Sequence, residues 1–160
     1  MALNGHTYRG YDTPGGRSLR VRIPPNARFS GSVRHQVLSF AGNREIDNQE
    51  LEEFIFAVGE ALANAIEHSR TSDVIEVHCQ IEDDKILATI VDSGAGFATD
   101  PLANIVLPDA LDERGRGLPI MRRCTDIFAV HSVPGRGTAV VLGRYLHRRS
   151  GADQERAATS

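Results

Sequence analysis

One segment constrains this chain more than any other. Between Leu51 and Ile66, the residues Leu51, Phe54, Ile55, Val58, Leu62, Ala65 and Ile66 recur at three- and four-residue intervals. That period gathers them into one stripe along a helix, and an apolar stripe must be buried against another layer. Asp47 and Glu50 stand at capping-box spacing, with Asp in place of the usual Ser or Thr, and mark where the helix begins. Glu60, Asn64 and His68 are four apart and line up on the opposite side. A solvated polar face is the plain reading of that row. Two details count against it. No Lys or Arg occurs from Leu51 to Ser69, although helix surfaces usually carry them. Asn is also a poor mid-helix residue, because its amide competes for backbone hydrogen bonds. An Asn amide oxygen suits Mg²⁺, and a Glu one turn away can take a proton from a hydroxyl or a water.

The rest of the pattern supplies the layer for that helix. Leu19, Val21 and Ile23 alternate with Arg20 and Arg22 in a half-buried strand stopped by Pro24-Pro25. A helix is predicted over Ser30 to Ala41, with Val33, Val37 and Phe40 on one side and Gly42-Asn43 as its stop. Ile75, Val77, Cys79 and Ile81 alternate with polar residues, and after the turn Glu82-Asp83-Asp84 a second strand runs from Lys85 to Val91. A short helix is predicted from Gly117 to Thr125, then a hairpin of Ile127 to Val133 and Thr138 to Leu146 around Pro134-Gly135-Arg136-Gly137. Hairpins interleaved with helices predict an α/β two-layer sandwich, its sheet mixed but largely antiparallel and its helices on one face. Residues 18–147 read as one domain, with flexible tails at 1–17 and 148–160.

Composition excludes several classes. A net charge of −3 argues against a protein built to neutralise nucleic-acid phosphates. No apolar run reaches spanning length and no signal-peptide pattern opens the chain, so a cytoplasmic protein without a membrane partner is expected. Cys79 and Cys124 have no metal spacing and read as reduced core thiols.

Three glycine-bearing segments complete the candidate site. Asp92-Ser93-Gly94-Ala95-Gly96 follows a strand, where two glycines let backbone approach a ligand and the Asp accepts hydrogen bonds, for instance from an exocyclic amine. Gly115-Arg116-Gly117-Leu118 opens a helix and exposes amides suited to phosphate. Gly135-Arg136-Gly137-Thr138 reads by itself as a hairpin turn. Each alone is weak, but their order and spacing with the Asn-bearing helix are specific.

In that order, the four segments resemble the nucleotide site of the histidine-kinase-like ATPase superfamily, which also holds gyrase, heat-shock chaperone and mismatch-repair domains. Glu60 to His68 looks like its N box, Asp92 to Gly96 its first glycine box, Gly115 to Gly117 its second, and Gly137-Thr138 its last. Within it, the chain is most similar to the small bacterial anti-sigma factor serine kinases, from about Ser18 to Leu146. The resemblance implies the Bergerat-type ATP-binding fold and ATP and Mg²⁺ as cofactors. Its implied partners are a sigma factor, which the protein holds inactive, an antagonist protein phosphorylated on serine, and a second copy in a homodimer. It implies Glu60 as general base and Asn64 as Mg²⁺ ligand. Asp92 is the implied reader of the adenine amine, with Gly94 and Gly96 shaping the pocket around the base. Arg114, Gly115, Arg116, Gly117 and Leu118 fall to the phosphate side, and Thr138 helps to hold adenine. Arg34 matches an arginine at partner and dimer surfaces, and a solvated arginine is the alternative. The lid, Ala98 to Arg114, has Arg114 as its sole cation, so Arg114 and Arg116 are the candidates for the γ-phosphate. Pro119 sits just inside the helix that follows, where a Pro is tolerated, and it stiffens the loop. An ATP-binding adaptor without kinase activity and a switch kinase that activates a phosphatase remain open beside the anti-sigma kinase. Glu60 favours a kinase, since a pure binder needs no base there.

Overall fold

A computed structural model describes residues 9–13, 16–42, 47–70, 72–82, 84–97 and 117–146. Its elements in chain order are β1 (Arg9–Thr13), β2 (Gly16–Ile23), α1 (Ser30–Ala41), α2 (Asn48–His68), β3 (Ile75–Ile81), β4 (Lys85–Asp92), α3 (Gly117–Arg123), β5 (Ile127–Val133) and β6 (Gly137–Tyr145). The strands form one six-stranded sheet in the order β1-β2-β3-β4-β6-β5. All five pairings are antiparallel, where the sequence left room for a mixed sheet.

The register places one residue set on one face. Leu19 pairs with Cys79, Cys79 with Ala88, and Ala88 with Leu142. Val21, Val77, Ile90 and Val140 form the neighbouring row. All eight side chains are buried, and α1 and α2 cover them with Val33, Val37, Phe54, Val58 and Leu62. The α2 stripe is thus the inner face of the helical layer, as its period requires. Asp47 caps α2, its Oδ1 accepting from the backbone N–H groups of Gln49 at 2.9 Å and Glu50 at 3.2 Å. Cys79 lies in this core, where burial pushes its thiol up to about 12. Cys124 is half-buried and its thiol is also pushed up, chiefly by burial.

Strand β1 lies inside the segment expected to be a tail, and it pairs with β2 from Arg9↔Arg20 to Thr13↔Gly16. Its sequence has no apolar alternation. An edge strand held by ladder hydrogen bonds needs none, so hydrophobic periodicity does not reveal it. Among the described residues, no helix is long and apolar enough to cross a membrane.

Candidate functional site

The carboxyl end of β4, the middle of α2 and the start of α3 enclose a pocket. Ala61, Ala65, Ile90, Leu118, Val130 and Val140 form its apolar wall. Asn64, Asp92 and Thr138 supply polar groups, and His68, Phe97 and Gly117 complete the lining. A flat apolar slot with a few convergent polar atoms suits an aromatic base carrying a polar edge.

Asp92 is buried, 6% exposed, at the last position of β4. Its Oδ1 accepts from the Gly94 N–H at 2.9 Å, which turns the chain out of the strand. Thr138 is its cross-strand partner on β6. The loop after β4 passes close beneath its neighbours. A Cβ on Gly94 would collide with the His68 carbonyl oxygen, and one on Gly96 with that of Val133. Gly96 also holds φ at 61°, a conformation costly for other residues. The β5–β6 turn docks on this loop, with the Gly135 N–H donating to the Ala95 carbonyl at 2.6 Å. Gly137, at φ 97°, brings the Asp92 carbonyl against its Cα, so Asp92 and Thr138 lie close together.

At the other end, Gly117 opens α3 directly over α2. A Cβ there would stand 3.1 Å from the Asn64 amide nitrogen, 3.4 Å from its oxygen and 3.5 Å from Glu60 Oε2. Glu60 is half-buried beside Asn64, just outside the pocket lining. Glu60 and Asn64 of the row read from four-residue spacing therefore face the start of α3, whereas His68 at its end is exposed beside Gly94.

Of the sequence-derived residues, Asn64, Asp92, Gly117, Leu118 and Thr138 line the pocket together, with Gly94 and Gly96 in the adjoining loop and Glu60 beside Asn64. Arg34 is exposed on α1, its stem lying over Gly59, one residue before Glu60. Arg114, Gly115, Arg116 and the rest of 98–116 lie outside the described residues. The apolar wall residues Ala61, Ala65, Ile90, Val130 and Val140 were not singled out as site residues from the sequence, and neither was Ser132 behind the pocket. Ser132 is buried, 6% exposed, and bonded to both the loop and Thr138. Its signal was a polar residue in the inward series Phe128, Val130, Ser132 of β5.

The family model described as a histidine kinase-like ATPase domain matches residues 23–144. The chain belongs to this histidine kinase-like ATPase family. Within this ATPase family, it is 30% identical over 137 residues to the anti-sigma F factor of Caldanaerobacter subterraneus subsp. tengcongensis, covering 81% of this chain and 94% of that protein. It is 31% identical over 131 residues to the anti-sigma F factor of Clostridium acetobutylicum, covering 78% of this chain and 90% of that one. Among solved structures it resembles the RsbU and RsbW domains of a Mycobacterium tuberculosis protein, with a TM-score of 0.63 and 21% identity. That match covers 85% of this chain, which spans only 33% of the larger one. It also resembles the histidine kinase domain of a blue-light activated kinase from Erythrobacter litoralis, with a TM-score of 0.51 and 21% identity. There it covers 78% of this chain and 62% of the other. These two likenesses show the fold alone.

Proposed function

We propose that this histidine kinase-like ATPase is an anti-sigma factor serine/threonine-protein kinase. It binds Mg²⁺-ATP, holds a sigma factor inactive and phosphorylates a serine of an antagonist protein. The observation that carries the chemistry is the convergence of Asn64 and Glu60 on Gly117, at the far end of the pocket from Asp92. The names of its curated relatives carry the sigma factor.

Adenine lies in the apolar slot, and the Asp92 carboxylate accepts from its exocyclic amine. Asn64 is the residue that would hold Mg²⁺. The fit rests on the cradle at Gly117, where any side chain would fill the space in front of the amide. Bound Mg²⁺ neutralises charge on the phosphate oxygens. Glu60, one turn from Asn64, takes the proton of the incoming serine hydroxyl. The serine oxygen forms a bond to the γ-phosphorus, the bond from that phosphorus to the bridging oxygen breaks, and ADP leaves. Phosphoryl transfer depends mainly on such positioning and charge neutralisation, so a small pocket with one base suffices.

Glu60→Gln tests this reading. ATP affinity and transfer of labelled γ-phosphate to co-purifying proteins are measured on one preparation. The variant should bind ATP as the wild type does and transfer about 10²–10⁴-fold more slowly, as is typical of general-base loss. Full transfer by the variant would remove Glu60 from the chemistry. A wild type that binds ATP but phosphorylates no partner would make the chain an ATP-dependent binding module.

A further inference from the structure

Asp92, Thr138 and Ser132 form a row across three adjacent strands, since Thr138 pairs with Asp92 on one side and with Ser132 on the other. Asp92 and Thr138 reach the pocket, and Ser132 lies behind them. Its Oγ accepts from the Phe97 N–H at 2.8 Å, lies 2.8 Å from Thr138 Oγ1, and donates to the Gly137 carbonyl at 3.2 Å. A serine hydroxyl has one proton and two lone pairs. The 2.8 Å contact to Thr138 admits either direction of donation, and in the arrangement in which Ser132 gives its proton to the Gly137 carbonyl it is Thr138 that donates. Thr138 Oγ1 then turns lone pairs, not a proton, towards the pocket. Beside it, Asp92 is an acceptor too.

We infer that Ser132 is a positioning residue that sets nucleobase specificity: by taking the Thr138 proton, it makes Thr138 a second, direct acceptor for the exocyclic amine of adenine. The inference rests on the ATP reading above and deepens it. A purine with a carbonyl at that position meets two acceptors and is rejected, while one with only hydrogen there loses both bonds. Ser132 also ties the loop at Phe97 to the β5–β6 hairpin, so that the acceptor pair and the wall of the slot are held by one hydroxyl.

The test compares ATP with purine riboside triphosphate, which lacks the 6-amine, by calorimetric titration. The proteins are the wild type, Ser132→Ala, Ser132→Cys and Thr138→Val. The wild type should prefer ATP. Ser132→Ala should lower that preference by about three- to tenfold, the worth of one hydrogen bond, on top of any loss common to both nucleotides from the loosened loop at Phe97. Ser132→Cys keeps the packing but bonds weakly, so it should fall in the same direction even if the alanine variant folds poorly. Thr138→Val sets the limit of the effect. A Ser132 that only braces the loop would lower both affinities together and leave their ratio fixed, which overturns the inference. An unchanged ratio in both Ser132 variants does the same. A wild type that binds neither nucleotide removes the ATP reading and this inference with it. A wild type that binds both equally removes this inference and the Asp92 contact with the amine, and leaves nucleotide binding and the phosphate-side chemistry standing.

Discussion

His78 and Arg20 face each other across β3 and β2 on the side of the sheet that carries no helices, beside the Arg22–Glu76 ion pair. Burial, and then the Arg20 guanidinium, hold the His78 imidazole below its ordinary value. The unfolded chain therefore binds this proton first as pH falls, near the usual histidine value of about 6.5. Stability from this residue is complete above that pH and declines as pH drops through it towards the folded-state value. Urea midpoints at about pH 7.5 and 5.5 check this, with His78→Gln expected to lose less on acidification than the wild type. An equal loss would assign the acid sensitivity to other groups. Among site residues, Asp92 was legible only through the order of the glycine segments after the Asn-bearing helix, since its own segment reads by itself as a turn. Ser132 was not, because a serine in a strand shows its partners only after β5, β6 and the loop at Phe97 have come together. Glu60 and Asn64 were legible as a row, but what they face depends on Gly117, 53 positions beyond Asn64.

At the scale of elements, α2 was legible through its stripe and cap, because both depend on neighbours within one or two turns. β1 was not, because its order comes from a partner's backbone. The placement of α3 depends on a contact that no local pattern shows. Arg144 on β6 donates through one guanidinium nitrogen to Glu53 of α2 at 2.7 Å and to the Cys124 carbonyl, just past the end of α3, at 3.0 Å. One side chain thus fixes the far end of the helix whose first residue approaches Asn64 and Glu60. Arg144→Met keeps much of the apolar stem but leaves Glu53 and the carbonyl without this donor. It should cost about 1–3 kcal/mol in chemical denaturation and weaken nucleotide binding beyond what Glu53→Gln does. Unchanged nucleotide affinity in a destabilised Arg144→Met would show that α3 is positioned by its packing alone.

Over the whole molecule, the sheet and the helical layer bury one continuous core, and the pocket opens where that core ends, at the last residue of β4 and the first of α3. The two-layer architecture followed from the alternation of β2, β3 and β4 and from the α2 stripe. The strand order, with β6 inserted between β4 and β5, did not. That insertion brings Thr138 beside Asp92, and so makes one site from two distant glycine segments. A ligand held by both layers must stabilise the fold in proportion to its occupancy. Thermal unfolding with Mg²⁺-ATP, and in parallel with Mg²⁺-GTP, tests this most directly. ATP at about a hundred times its dissociation constant should add ~2.7 kcal/mol, a rise of roughly 5–10 °C for a domain of this size. GTP at the same concentration should add much less. An unchanged melting temperature under saturating Mg²⁺-ATP, or an equal rise with GTP, would contradict the assignment of this pocket to adenine.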